Sequence, residues 1–205
     1  MLEVQSLACE RGDRHLFHDV SFVLEPGSLL HVLGRNGSGK TTLLRTLCGL
    51  FLANAGDIRW NGQSIREQGE DFRRNLLYLG HLNGIKLDLT AEENLRIAAA
   101  LDGDEVVSEA IGEALRHIGL AGFEDLPAKV LSQGQKRRVA LARLLLSRAR
   151  IWILDEPFTA LDIAAVEQLQ QIIAAFVQRG GIAILTTHQE VPLTSGQIQR
   201  LHLAA

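Results

Sequence analysis

The sequence of 205 residues is poor in several features that define broad functional classes. Its two cysteines, Cys9 and Cys48, have no metal-ligand spacing, which favours reduced thiols over a disulfide framework. No apolar run approaches the roughly 20 residues that span a bilayer, so we expect any membrane role to require partner subunits. The net charge of −3 lacks the basic excess of nucleic-acid-binding proteins, and we expect no nucleic-acid partner.

The first third of the chain carries short segments with the pattern of β-strands. Residues 2–10, "LEVQSLACE", predict a first strand, and "VSFVLEPGSLLHVLG" predicts two strands around a turn at Pro26 and Gly27. In "GDIRWNGQSI" the dipeptide Asn61-Gly62 predicts a tight hairpin. We expect these strands to form an antiparallel sheet.

The remaining apolar segments predict a different arrangement. The runs "IWILD" and "IAILTTH" lack alternation, which is typical of parallel strands covered by helices on both faces. Residues 82–150 are mostly helical in pattern, and Thr90 with Glu93 predicts a capping box. We therefore predict an α/β fold with a mixed-sheet core over residues 1–81 and 151–205, an N-terminal antiparallel β subdomain and an inserted helical lobe over residues 82–150.

The segment "GRNGSGKTT" fits the phosphate-loop pattern G-x-x-x-x-G-K-[ST] and lies between an apolar strand and a helical pattern. Its glycines let backbone N–H groups converge on phosphate oxygens. Lys40 is predicted to contact the β- and γ-phosphates, and the Thr41 hydroxyl to bind Mg²⁺. The nucleotide-binding candidates are Gly34, Arg35, Asn36, Gly37, Ser38, Gly39, Lys40, Thr41 and Thr42. The alternative is a glycine-rich turn that merely caps a helix.

Two adjacent carboxylates follow the run "IWIL". Asp155 is predicted to hold Mg²⁺, and Glu156 to orient and polarise the attacking water. Since neighbouring residues on a strand point to opposite faces, we expect the strand to end here and the chain to turn before Pro157. Trp152 is interpreted as a core residue. Taken alone, the pair also fits a solvated loop.

The segments "GRNGSGKTT", "LSQGQ", "ILDEP", "TALD" and "TTH", in this order, resemble the ABC-type ATPase family over essentially the whole chain. The decisive element is "LSQGQ", residues 131–135, which is similar to the family signature but has Gln133 where glycine is usual. The resemblance implies a P-loop NTPase of ABC type that forms an ATP-sandwich homodimer. In it, Ser132, Gly134 and Gln135 would contact ATP bound by the second copy. Ser132 and Gln135 also fit a capping box.

Further positions take their roles only from the resemblance. His188 matches a switch histidine that contacts the γ-phosphate, and residues 159–162 match a loop that crosses the dimer interface. Arg11 stands where the family often stacks an aromatic side chain on adenine. His81 replaces the usual glutamine before the helical lobe, and we expect it to act through water or a hydrogen bond, or to mark the hinge. "KRR", residues 136–138, is interpreted as a solvated helix face.

Three classes compete for the function: a transporter ATPase, a soluble ABC protein of translation or DNA repair, and an unrelated P-loop kinase or GTPase. The chain has one compact ATP-binding cassette that contains "LSQGQ" and "TTH", and this combination favours the transporter ATPase. The runs "YLGHLNGIKLDLTAEENL" and "WILDEPFTALD" resemble the haem-export ATPases of cytochrome c maturation. That resemblance implies ATP and Mg²⁺, permease subunits of that system and the cytoplasmic face of the inner membrane. We expect no direct haem binding. The alternative is another single-cassette exporter, for a drug, peptide or lipid.

Overall fold

The structure is a computed structural model that describes residues 1–12, 14–187 and 197–203. Within these residues the chain forms two β-sheets and seven α-helices. The strands are β1 (Leu2–Arg11), β2 (Arg14–Leu24), β3 (Ser28–Leu33), β4 (Ala55–Trp60), β5 (Gln63–Ser64), β6 (Leu76–Leu79), β7 (Ile151–Asp155), β8 (Ile182–Thr186) and β9 (Gln197–His202). The helices are α1 (Lys40–Leu47), α2 (Ile65–Gln68), α3 (Glu70–Arg73), α4 (Ala91–Leu101), α5 (Ser108–His117), α6 (Gln133–Leu146) and α7 (Ile163–Gln178), with a 3-10 helix at Ala128–Val130.

The smaller sheet is antiparallel and has the order β2-β1-β4-β5. The predicted hairpin is confirmed: Trp60 pairs with Gln63 across Asn61 and Gly62, which have φ angles of 51° and 84°. Positive φ at both central residues is the geometry of a two-residue hairpin turn, and the Asn-Gly dipeptide is the sequence that adopts it most readily.

The larger sheet is parallel and has the order β6-β7-β8-β3-β9. Strand β3 belongs to it, so the expectation that β3 joins the antiparallel sheet was wrong. The physical reason is burial on both faces: Leu29 packs on one side of the sheet, and Leu30 and Val32 pack on the other. A strand that is apolar on both faces suits a central position in a sheet covered on both sides.

Alternate residues of the parallel strands contribute to two separate hydrophobic cores. Trp152 and Leu154 of β7 face the helical core, which also contains apolar side chains of α4 to α7. Ile151 and Ile153 face the β core, which lies toward α1 and the antiparallel sheet and includes Trp60. Because successive residues point to opposite faces and both faces are buried, "IWILD" shows no alternation of apolar and polar residues.

Local signals define the helical segment between β6 and β7. Thr90 and Glu93 form the predicted capping box at the start of α4, with Thr90 Oγ1 accepting from the Glu93 N–H at 3.1 Å. The buried Asn94 amide accepts from the Lys86 N–H at 2.7 Å and donates to the Thr90 carbonyl at 2.8 Å, which fixes the preceding loop. Among the described helices, none combines the length and apolarity needed to cross a membrane.

Candidate functional site

Most of the predicted phosphate-loop residues and both acidic residues line one cavity of about 520 Å³ at the carboxyl ends of β3 and β7. This is the edge of a parallel sheet where ligands of α/β proteins usually bind. The lining residues are Arg11, Leu16, Asn36, Gly37, Gly39, Lys40, Thr41, Thr42, His81, Asp155, Glu156 and Thr159. The cavity therefore joins segments that are far apart in the sequence.

Close packing at one position and a positive φ at another explain two glycines of the candidate phosphate loop, residues 34–42. A Cβ on Gly34 would lie 2.5 Å from Ser38 Oγ and 2.9 Å from the Leu203 carbonyl oxygen. Gly39 has φ 93° and directly precedes α1. Larger residues at these points would clash or strain the backbone. Of the nine predicted loop residues, Gly34, Arg35 and Ser38 support the loop from outside the cavity lining.

The Lys40 ammonium lies within this loop. Its Nζ donates to the carbonyl oxygens of Gly34 at 2.7 Å and Arg35 at 3.1 Å, and the residue is buried. A buried cation requires such oxygen partners because its desolvation is costly. The contacts hold a positive charge among backbone groups and beside the first turn of α1, an arrangement that suits phosphate oxygens.

Asp155 is buried at the end of β7 and accepts two hydroxyl hydrogen bonds. Thr41 Oγ1 donates to Asp155 Oδ2 at 2.8 Å, and Thr186 Oγ1 donates to Asp155 Oδ1 at 2.8 Å. A carboxylate beside a hydroxyl offers the hard oxygen ligands that Mg²⁺ prefers when it also binds substrate phosphates. Thr41 and Asp155 therefore fit the predicted metal site. Sequence reasoning gave Thr186 no role.

Glu156 occupies the predicted turn immediately after β7. Its φ of 50° lies in the left-handed region, which is uncommon for a residue with a side chain. Its backbone N–H donates to Thr186 Oγ1 at 2.9 Å. The turn allows Asp155 and Glu156 to line the same cavity, although they are adjacent in the sequence. Such strained backbone is frequent at functional sites.

Arg137 corrects the interpretation of residues 136–138 as a solvated helix face. It is only 4% exposed, because its guanidinium reaches under the turn formed by Asp155, Glu156 and Pro157. Burial lowers the pKa of Arg137, and the Asp155 and Glu156 carboxylates oppose that shift. Helical spacing could have identified this residue, since Arg137, Leu141 and Leu144 share one buried face of α6.

His81 and Arg11 both line the cavity. His81 is exposed and follows the end of β6 by two residues, in agreement with the predicted position between strand and lobe. Arg11 is exposed at the end of β1, and the half-buried Leu16 of β2 lines the cavity as well. Leu16 was missed, because nothing in its local pattern marks it. His188 lies outside the described residues.

None of the signature residues, 131–135, is among the residues that line the cavity of the same chain. Ser132 caps α6: its Oγ accepts from the Gln135 N–H at 3.2 Å, and Gln135 Oε1 accepts from the Ser132 N–H at 2.9 Å. A Cβ on Gly134 would lie 3.0 Å from the Ala160 carbonyl oxygen, so the first turn of α6 packs closely on the loop of residues 159–162. The predicted capping box is confirmed.

The sequence profile of the ABC transporter family matches residues 17–159, which is more than half of the chain. The chain belongs to the ABC transporter family. The predicted family and its α/β fold are thereby confirmed. A solved structure described as a candidate ABC transporter ATP-binding protein, from Pyrococcus furiosus, superposes with a TM-score of 0.85 at 28% identity. The superposition covers 98% of this chain and 96% of that one.

Two curated relatives are similar to this chain over almost their full length. One, from Dechloromonas aromatica, is 56% identical over 99% of this chain and 100% of its own. Another, from Nitrosomonas europaea, is 55% identical over 100% of this chain and 96% of its own. Both bear the name cytochrome c biogenesis ATP-binding export protein CcmA.

Proposed function

We propose that this ABC transporter chain is the ATP-binding and ATP-hydrolysing subunit of an export complex in cytochrome c biogenesis. It would couple ATP hydrolysis to haem export, or to release of a haem-loaded carrier, across the inner membrane. The observation that carries the ATPase role is the convergence of Lys40, the Thr41–Asp155 pair and Glu156 on one cavity. The names of two relatives that are more than half identical support the export role.

In this proposal the phosphate loop, residues 34–42, holds the ATP phosphates through backbone N–H groups and Lys40. The nucleotide draws Lys40 Nζ from the Gly34 and Arg35 carbonyls to phosphate oxygens, which match its charge. Thr41 and Asp155 hold Mg²⁺, which supplies Lewis-acid stabilisation of charge on the phosphate oxygens. Arg11 stacks on the adenine ring, with Leu16 as an apolar neighbour.

Glu156 is the proposed residue that orients the attacking water. Its carboxylate accepts a hydrogen bond from the water, whose oxygen forms a bond to the γ-phosphorus as the bond to the ADP oxygen breaks. The products are ADP and inorganic phosphate. The Thr186 hydroxyl holds both the Asp155 carboxylate and the Glu156 N–H, so one side chain sets the spacing of the acidic pair. His188 would contact the γ-phosphate, as its match to the family's switch histidine implies, and His81 would act through water or a hydrogen bond, or mark the hinge.

We further propose that two copies enclose two ATP molecules head to tail. Ser132, Gly134 and Gln135 at the start of α6 would face the ATP of the other copy, where the helix N-terminus favours an anion. Residues 82–150 would move as the helical lobe against the core, residues 1–81 and 151–205. Permease subunits of the cytochrome c maturation system would dock near residues 83–89, where Leu87 is exposed, as is the preceding Leu82. The chain would then work at the cytoplasmic face of the inner membrane, with haem left to its partners.

The ATPase role is tested with Glu156→Gln in the full chain. The amide keeps the shape but cannot polarise water, so turnover should fall by at least about a hundredfold while ATP binding persists. ATP should also trap the dimer, which size-exclusion chromatography would detect. Glu113→Gln is the matched control, because Glu113 is exposed on α5 and should leave activity unchanged. Parental ATPase activity in Glu156→Gln would eliminate the proposed role of Glu156.

The export role needs a test in cells. Deletion of the gene should abolish haem-stained c-type cytochromes, and the parent chain should restore them where Glu156→Gln does not. Affinity purification from membranes should recover permease subunits of cytochrome maturation together with the chain. Normal c-type cytochromes in the deletion strain would refute the haem assignment and leave the ATPase role intact.

A further inference from the structure

The buried Arg137 guanidinium connects three segments that are separate in the sequence. Arg137 belongs to α6, the helix that begins with the signature segment. Nη1 donates to the Gly80 carbonyl at 3.2 Å and to Asn83 Oδ1 at 3.1 Å, which lie on either side of His81. The remaining contacts go to the acidic turn, residues 155–157.

Those remaining contacts involve three consecutive carbonyl groups. Nη2 donates to the carbonyls of Asp155 at 3.3 Å and Glu156 at 2.8 Å, and Nε donates to the carbonyl of Pro157 at 3.3 Å. Together with the two Nη1 contacts, these bonds supply five acceptors, which equals the number of N–H donors that a guanidinium has. A side chain that is 4% exposed and bonded in this way is held in a single arrangement.

The acidic turn needs such support. Glu156 has a side chain but adopts φ 50°, a conformation that costs energy unless the surroundings hold it. Glycine would relieve that cost, but glycine has no carboxylate. The Glu156 backbone is held on both sides of its Cα, because its N–H donates to Thr186 and its carbonyl accepts from Arg137. Thr186 lies on the parallel sheet, whereas Arg137 lies on the helical segment.

We propose that Arg137 is a positioning residue that holds two segments to α6: the acidic turn and the loop of residues 80–83, called the His81 loop. Displacement of α6 would then shift Glu156. This inference rests on the proposed role of Glu156 in hydrolysis. In the proposed dimer, the start of α6 contacts the ATP of the second copy, while Glu156 serves the ATP of its own chain. In each copy, Arg137 thus connects Glu156 to the helix whose first residues contact the ATP bound by the other copy.

The test uses Arg137→Lys in the full chain. Lysine keeps the charge but is a point donor that cannot form the planar fork, so it cannot reach all five acceptors. We expect kcat to fall by at least about tenfold while the KM for ATP stays within about twofold, since the phosphate loop is untouched. Amide hydrogen exchange should accelerate in peptides that cover the acidic turn and the His81 loop.

Arg143→Lys is the matched control. Arg143 lies on the same helix and forms an ion pair with Asp102 at 3.1 Å, but this contact stays between α6 and the end of α4. The control should leave kcat and exchange at the acidic turn unchanged. The proposal is overturned if Arg137→Lys keeps kcat within about twofold of the parent, if it acts through KM alone, or if exchange at the turn does not change.

Asn83→Ala keeps the proposal testable if Arg137→Lys does not fold. It removes one acceptor outside the acidic turn, so exchange around His81 should accelerate and kcat should fall by about twofold to threefold. No change in either quantity would contradict the proposal. Hydrogen exchange does not depend on catalysis, so failure of the Glu156 role, seen as an active Glu156→Gln, can be distinguished from failure of the Arg137 role.

Discussion

Thr186→Val should be unusually damaging for a substitution that preserves side-chain shape. The Thr186 hydroxyl is fully buried, donates to Asp155 Oδ1 at 2.8 Å and accepts from the Glu156 N–H at 2.9 Å. Valine fills the same volume but leaves a buried carboxylate oxygen and a buried N–H without this partner. The substitution therefore isolates the hydrogen bonds of the acidic pair from any change in packing.

The expected loss can be calculated from the two bonds. A hydrogen bond to a charged group contributes about 1.5–3 kcal/mol, and an unpaired buried donor costs about 1–3 kcal/mol. Relaxation of the turn recovers part of this sum, so we expect the free energy of unfolding to fall by about 3 kcal/mol. Thr46→Val is the matched control: Thr46 is equally buried, but its hydroxyl donates only to the Thr42 carbonyl one turn earlier in α1. That carbonyl keeps its helical partner, and the loss should stay below about 1 kcal/mol.

The assay is equilibrium urea unfolding of the parent and both variants, with the free energy taken by linear extrapolation. ATP turnover provides a second measurement. If displacement of Asp155 and Glu156 raises the activation free energy of hydrolysis by as little as about 1.4 kcal/mol, kcat falls by about tenfold. Thr186→Ser, which keeps the hydroxyl, should restore most of both quantities. Equal losses of stability in Thr186→Val and Thr46→Val would show that the two Thr186 hydrogen bonds do not stabilise the acidic pair.

Two further predictions concern the cavity edge and the helical core. His81→Gln should keep ATP turnover within about threefold of the parent, since an amide oxygen suits Mg²⁺ or water better than a neutral imidazole does; abolished turnover with intact ATP binding would show that the imidazole itself is needed. Gly181→Ala should lower the free energy of unfolding in urea by about 1–3 kcal/mol, because its Cβ would lie 2.4 Å from the Phe176 ring, which is stacked on Trp152. Gly112→Ala, in open space on α5, should instead raise it by up to about 1 kcal/mol.

Local chemistry made much of the fold and the site predictable from the sequence. The capping boxes at Thr90 and Ser132, the Asn61-Gly62 hairpin and the turn at Glu156 each depend on residues within a few positions of one another. The phosphate loop belongs to the same class, because a glycine pattern between a strand and a helix specifies its backbone.

The features that sequence reasoning missed depend on distant partners. Strand β3 joined the parallel sheet because β8 and β9 pair with it, and both lie more than 140 residues further along the chain. Arg137 looked like a surface cation, since its acceptors are mainly backbone carbonyls, which leave no trace in side-chain patterns. Thr186 is an ordinary threonine until the fold places it beside Asp155.

The division of the interior between two cores gives each core its own optical probe. The sequence contains two tryptophans, and both are buried: Trp60 in the β core and Trp152 in the helical core. Single Trp→Phe variants would assign the ultraviolet emission of the protein to one core at a time. Coincident unfolding curves would show that the two cores melt together. Since Trp152 lies on the strand that ends at Asp155, a change in its emission on addition of ATP would report nucleotide binding without an attached dye.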